Sequence, residues 1–250
     1  MIKVLLIVLQ ILVCIIALDI LLHLLFWLCA LITSLTITKE EYTKPSKFYT
    51  KFLVFSYKYL IHVARVKVHV TGYEKVDFDK KFMLVSNHRS KFDNFIHCAF
   101  LDKANLAYIS KPENFKIPMA GKLMKRCLYL PIQRGNPREG LKTILKAVDY
   151  IKNDLTCIGV FPEGTRSKDG NLLEFKPGCF KISEKSASPI VVCCMQGTEN
   201  ISKNWPWKKT DVSFDILEVI EPSVWQDKKT VDVALYTHDL ILNNINKEQK

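Results

Sequence analysis

The chain holds only nine glycines and ten prolines in 250 residues, and neither residue occurs between Ile2 and Thr38. Without those turn-formers a hairpin inside the segment is disfavoured, and one unbroken helix is expected. Eight cysteines are present but no Cys-x-x-Cys, so neither a zinc ribbon nor a thioredoxin-like pair is indicated. Several lie in apolar runs such as Cys157-Ile158-Gly159-Val160-Phe161, where cysteine behaves as a small hydrophobe. Packing is the expected role of all eight, and free buried thiols suit a reducing compartment. No repeat, low-complexity tract or Gly/Pro/Ser-rich linker divides the chain, which favours one domain behind an N-terminal segment. A Gly-x-Ser-x-Gly elbow is missing, which argues against a serine hydrolase. Acidic residues are few as well: 25 Asp+Glu face 36 Lys+Arg, a net charge of +11. That excess favours nucleic acid, an anionic membrane face or phosphorylated compounds. No zinc-finger spacing or RNP-like aromatic motif appears, so no nucleic acid partner is expected.

What is present begins with apolar residues. From Ile2 to Thr38 the chain is broken chiefly by Lys3, Gln10, Asp19 and His23. As a helix it would extend about 55 Å at ~1.5 Å per residue, more than the ~30 Å hydrocarbon core of a bilayer. Part must therefore lie among headgroups or pack on the protein. A cleaved signal peptide is the competing reading, but the stretch is too long for an h-region and lacks an Ala-x-Ala-like site. Asp19 marks where the helix leaves the hydrocarbon, or is protonated there. Lys39, Lys44, Lys47, Lys51 and Lys58 follow the segment, against Lys3 before it. By the positive-inside rule the large domain faces the cytoplasm, anchored at its N-terminus in the cell membrane. Residues 1–40 form the anchor. Residues 41–65 form a basic amphipathic helix, with Lys44, Lys51, Lys58 and Arg65 in one row and Phe52, Phe55, Tyr59, Leu60 and Val63 on another side. Such a helix suits anionic membrane lipids, although an ordinary surface helix has the same pattern.

The remainder alternates strand and helix signals. Val66–Thr71, Phe82–Ser86, Ala107–Ser110, Leu128–Ile132, Cys157–Phe161, Pro189–Met195 and Val212–Ile220 are predicted strands. Helices are predicted near 90–101, 138–153 and 231–246, the second carrying Leu141, Ile144, Leu145, Val148 and Ile151 on one face. The pattern gives an α/β fold: a mostly parallel sheet flanked by helices, with an antiparallel edge allowed. In such sheets ligands gather beyond the carboxyl ends of the strands. Asn87–Asp93, Arg134 and Pro162–Ser167 each follow a predicted strand, so parallel strands would bring them to one edge.

Two stretches carry chemistry. In Asn87-His88-Arg89-Ser90-Lys91-Phe92-Asp93, His88 is a base suited to neutral pH and Asp93 a carboxylate able to orient it. Five residues cannot share a helical face, so the two meet only if His88 lies in the loop and Asp93 in the first turn. Ser90 and Asp93 also fit a capping box, which accounts for both without chemistry. In Phe161-Pro162-Glu163-Gly164-Thr165-Arg166-Ser167, Pro162 ends the strand, Gly164 permits close backbone approach and Arg166 can grip phosphate bidentately. A polar connection into a hairpin turning at Asp169-Gly170 is the plainer alternative. His97 could join His88 and Asp93 around a metal, but the spacing fits no zinc motif. His23, His62, His69 and His238 stand in patterned segments and are read as structural.

Taken together these motifs resemble the glycerolipid acyltransferase family, specifically the 1-acyl-sn-glycerol-3-phosphate acyltransferases. Asn87, His88, Ser90 and Asp93 match its first motif, and residues 161–167 match its phosphate-side motif in full. Lys111 and Glu113, Arg134, and Pro189-Ile190-Val191 match others in order over roughly residues 65–220. Gln133 and Val192 depart from the family pattern, where an Asp or Asn and a second proline are usual. The resemblance implies acyl transfer from acyl-CoA or acyl-acyl carrier protein to the sn-2 hydroxyl of lysophosphatidic acid. It makes His88 the base, Asp93 its orienting partner, and residues 66–250 the acyltransferase domain. Asn87, Ser90, Lys111, Arg134, Glu163, Gly164, Thr165 and Arg166 become substrate contacts, and no metal or cofactor is implied. A hydrolase sending water to the same carbonyl, or a tethered lipid carrier, uses similar residues; a carrier would tolerate loss of His88.

Overall fold

The computed structural model describes residues 2–38, 41–133, 135–167, 170–225 and 227–248. Helix α1 (Ile2–Leu35) is 34 residues long, and by length and composition it can cross a membrane. Residues 2–22 are exposed throughout. Only its last third is fixed to the protein, with Phe26, Ala30, Thr33 and Ser34 buried along one stripe. Helix α2 (Lys47–Val63) runs back along that end. Thr36 and Tyr49 hydroxyls share a 2.8 Å hydrogen bond, and Phe26 stacks on Tyr59 at 3.8 Å between centroids.

Seven strands form the sheet: β1 (Val66–Thr71), β2 (Met83–Ser86), β3 (Leu106–Ser110), β4 (Leu130–Pro131), β5 (Cys157–Val160), β6 (Ile190–Gln196) and β7 (Thr210–Ile220). Their spatial order is β1-β7-β6-β2-β5-β3-β4. From β6 to β4 all neighbours are parallel, whereas β7 opposes β6 and carries β1 parallel to itself. Strands β2 and β5 are buried along their whole length, which is why they read as continuous apolar runs rather than alternating ones. β1 lies at the edge and alternates between partly buried and exposed residues.

The helices α3 (Asp93–Phe100), α4 (Ala120–Arg126), α5 (Pro137–Lys152), α6 (Lys181–Ser186), α7 (Ile201–Asn204), α8 (Pro222–Trp225) and α9 (Thr230–Glu248) complete the fold. Phe82, Leu84, Ile158, Phe180, Ile190 and Phe214 are among the fully buried side chains, each stabilising the fold by roughly 1.5–3 kcal/mol relative to exposure. Gly159 in β5 has a packing reason. A Cβ there would lie 2.3 Å from the ring of Tyr108, the β3 residue paired with Gly159.

α2 buries Leu53, Ser56, Tyr57 and Ile61, packing on α3 as well as on α1, and leaves Phe55 exposed. The expected face of α5 is rotated. α5 buries Ile144, Ala147, Val148 and Ile151, while Leu141 and Leu145 stay exposed. The predicted stripe included both leucines but not Ala147, whose small side chain permits close approach. α5 begins as its chemistry dictates, with Pro137 in the first turn and the Asn136 side chain accepting from the Glu139 N–H at 3.2 Å. None of the eight cysteines is in a disulfide. Burial pushes the thiols of Cys98, Cys127 and Cys157 up to about 12, so they are inert packing groups. Cys14 and Cys29 are instead exposed on α1.

Candidate active site

β2 and β5 are adjacent and parallel, so the segments leaving their carboxyl ends emerge side by side. The Ser167 N–H donates to the His88 carbonyl at 2.9 Å and stitches them together. At this edge His88 Nδ1 lies 2.8 Å from Asp93 Oδ2. Asp93 is fully buried, and His88 retains 19% of its side-chain exposure. The imidazole lies flat on the Phe161 ring, 4.0 Å away at 12°, which fixes its plane. With Nδ1 on the carboxylate, Nε2 is the nitrogen left to exchange a proton.

Asp93 is held as tightly as it holds. Its Oδ2 also accepts the backbone N–H groups of Arg89 at 2.7 Å and Ser90 at 2.8 Å. Its Oδ1 accepts the buried Thr198 hydroxyl at 2.6 Å. Capping and orienting are therefore the same act: the contact to Ser90 N–H is the reach-back half of a capping box. The other half differs from expectation. α3 begins at Asp93 rather than Ser90, and Ser90 Oγ accepts from Phe92 N–H at 3.3 Å.

Three residues expected among the substrate contacts have their polar atoms engaged within the protein. Asn87 donates to the Met195 carbonyl at 2.9 Å and accepts its N–H at 2.7 Å, clamping the end of β2 to β6. Ser90 caps the turn. Glu163 Oε1 accepts the His88 N–H at 2.5 Å and Oε2 the Leu173 N–H at 3.0 Å. Burial pushes its carboxyl up to about 7, against the pull of those two N–H groups. Gly164 adopts φ +69°, and a Cβ there would meet Lys176 Nζ at 2.9 Å. Asp169 of the expected turn lies outside the described residues; among those described, Lys176 N–H returns to the Pro162 carbonyl at 3.0 Å.

His88 borders a cavity of about 1070 Å³. Phe26, Trp27 and Ala30 of α1 and Leu53, Tyr57 and Leu60 of α2 line one part. Thr165, Arg166, Lys111, Lys91, Lys176 and Lys181 line another, and no Asp or Glu does so among the described residues. Arg134 lies outside the described residues, although its neighbours Gln133 and Gly135 are in the lining. His97 stands apart from the dyad: Nδ1 shares a 2.6 Å hydrogen bond with the Tyr108 hydroxyl, and burial lowers its pKa to about 4. No group of three potential metal ligands occurs among the described residues.

An acyltransferase family model matches residues 67–196 of the chain. The chain belongs to the acyltransferase family. Among its relatives is a 1-acyl-sn-glycerol-3-phosphate acyltransferase of Limnanthes douglasii, 30% identical over 173 residues, 68% of this chain and 61% of the relative. The enzyme of the same name from Haemophilus influenzae is 26% identical, covering 64% of this chain and 67% of its own length. The chain thus spans less than two-thirds of the Limnanthes relative. The crystal structure of the 1-acyl-sn-glycerophosphate (LPA) acyltransferase PlsC from Thermotoga maritima superposes with a TM-score of 0.65 at 25% identity, covering 81% of this chain and 79% of that one.

Sequence reasoning missed Thr198, Lys176 and Phe161 in these positions. Thr198 had a visible signal, since it follows Gly197 directly beyond β6 at the same carboxyl edge.

Proposed function

We propose that this acyltransferase is a membrane-anchored enzyme that moves a fatty acyl group from a thioester to the sn-2 hydroxyl of lysophosphatidic acid, giving phosphatidic acid. One observation carries the reading: a buried-carboxylate–histidine dyad opens on a cavity whose lining, among the described residues, joins apolar helix faces to five basic side chains without a carboxylate. Apolar surface suits acyl chains, and unopposed cations suit a phosphate monoester.

His88 Nε2 removes the proton of the acceptor hydroxyl as its oxygen attacks the thioester carbonyl. The tetrahedral intermediate collapses, the carbon–sulfur bond breaks, and the imidazolium returns its proton to the leaving thiolate. Asp93 stabilises the imidazolium and fixes its tautomer. Asn87 and Glu163 act as braces, one fixing the strand end and the other the His88 backbone. Arg166, with Lys176, Lys111, Thr165 and Arg134, holds the glycerol phosphate beside the Gly164 backbone. α1 anchors the enzyme where its lipid substrate resides, with the catalytic domain on the cytoplasmic side as the lysine-rich flank after α1 directs.

Purified protein in detergent is given lysophosphatidic acid with a panel of acyl-CoA and acyl-carrier-protein donors, beside His88→Ala. Phosphatidic acid from the parent alone supports the reaction and its base. Equal product from the variant would sink the mechanism, and product only with another lysolipid would replace the acceptor.

A further inference from the structure

The loop Trp205-Pro206-Trp207-Lys208-Lys209, between α7 and β7, is exposed at every residue. Trp207 is 84% exposed, an unusual position for the largest apolar side chain. Lys203, Arg65 and Lys67 are exposed beside the two lysines, with Asp211 as the acidic neighbour, itself paired with His69 at 3.0 Å. Aromatic rings interleaved with cations are the composition of a headgroup-level contact.

Its place in the fold names the surface it meets. Contacts between the first two helices run antiparallel: Tyr49 meets Thr36, Phe55 meets Phe26, and Tyr59 meets His23. Extending the series by one turn sets Val63, the end of α2, about level with Asp19. The Trp205 indole donates to the Val63 carbonyl at 3.1 Å, and Arg65 donates to the carbonyls of Pro206 and Trp207 at 2.8 and 3.4 Å. The loop is thus tied at the height of Asp19. Residues 2–22 of α1, none of them buried, cover about 31 Å at ~1.5 Å each, the ~30 Å thickness of a hydrocarbon core. Asp19 and His23, hydrogen-bonded to each other through Nδ1 and the Asp19 carbonyl at 2.8 Å, then sit where that core ends. Because β7 opposes β6, the loop before β7 also stands on the carboxyl edge of the parallel strands, seven residues beyond Thr198 and its bond to Asp93.

We propose that this loop is a second bilayer contact, with Trp207 seated among anionic headgroups. Together with α1 it turns the catalytic edge toward the membrane. The proposal rests on α1 being the membrane anchor, and charge complementarity and continuity with α1 select an anionic bilayer over a protein partner.

The test uses the full chain in vesicles of phosphatidylcholine and phosphatidylglycerol, brominated near the headgroup end of the acyl chains. In Trp27→Phe the remaining tryptophans are Trp205, Trp207 and the buried Trp225. Bromolipid is expected to quench this variant strongly, and Trp207→Phe in the same background to lose most of that quenching. Lys208→Glu with Lys209→Glu should weaken it in the anionic vesicles and leave pure phosphatidylcholine vesicles unaffected. Emission from Trp207 that ignores bromolipid overturns the proposal, whether acrylamide reaches the ring (open water) or does not (a protein contact). Alkaline flotation separates the two readings. Protein that stays with the vesicles while Trp207 is unquenched overturns the loop contact alone, and protein that washes off overturns the anchor and the loop contact together.

Discussion

The two halves of the candidate site are built on opposite terms. Around His88 every polar atom of Asp93 is engaged, by an imidazole, two backbone N–H groups and a buried hydroxyl. Lys111, Thr165 and Arg166, which also line the cavity, are exposed and share a lining that has no carboxylate among the described residues. Proton transfer demands a base held within a fraction of an ångström, and that geometry has to exist before substrate arrives. Phosphate binding asks for charge density and tolerates movement, because its Coulombic part falls off slowly with distance. The first half should therefore fail in kcat when disturbed, and the second in KM.

The most damaging conservative change is expected to be Asp93→Asn. Its amide oxygen can keep His88 Nδ1 and the Arg89 and Ser90 N–H groups, which all meet one carboxylate oxygen, with the NH2 turned to the Thr198 hydroxyl, but the negative charge beside the imidazole is gone. Loss of the tautomer-fixing carboxylate is expected to lower kcat by roughly 10³–10⁴ with KM nearly unchanged. A steady-state analysis in mixed micelles checks it, and a loss confined to KM would contradict the division drawn above.

Thr198→Val comes next. It leaves one buried Asp93 oxygen without its donor, at a cost of about 1–3 kcal/mol, read as a lower melting temperature with kcat down roughly tenfold. Thr198→Ser keeps the hydroxyl and should restore both. If serine restores stability but not kcat, Thr198 is a packing residue and the dyad needs no third support.

On the other half, Arg166→Lys keeps the charge and loses the planar fork. KM for lysophosphatidic acid should rise about tenfold while kcat holds, and added salt should mimic the change. A fall in kcat alone would move Arg166 to the chemical half of the site.

The same contrast separates what the sequence showed from what it hid. The strands were legible because their β-branched runs are local, and parallel pairing then placed the two motifs at one edge without further information. His88 and Asp93 were legible as a pair because the chain between them is short enough to fold back. Thr198 could be placed at that edge from its position after β6, but its bond to Asp93 spans 105 residues of chain and no local pattern records such a contact. The backbone partners of Glu163 were hidden for a related reason. A carboxylate in a phosphate-side motif looks like a ligand group until its two backbone partners are seen. The face of α5 was misassigned because the helix carries apolar residues beyond the side that packs, and only the neighbours decide which side is buried.

Glu163 gives the smallest and most discriminating effect. Its carboxyl titrates near 4.5 in an open chain and at about 7 here, chiefly because it is buried. Between those values the native state holds a proton that the unfolded state has released, so stability falls as pH rises through about 7 and is flat beyond. His97 works the other way. Burial lowers it from 6.5 to about 4, so its contribution is lost as pH falls through that window. Both proteins in a comparison of parent with Glu163→Gln carry His97, and its effect cancels in the difference. Glutamine can accept one of the two N–H groups but presents an NH2 to the other, a constant cost of about 1 kcal/mol. The variant should therefore be less stable than the parent at pH 5, with the gap narrowing steadily towards pH 8. Urea midpoints in detergent at five or so pH values, read with the linkage slope, test this directly. Parallel curves would mean that Glu163 stays ionised throughout and that its two backbone hydrogen bonds outweigh its burial.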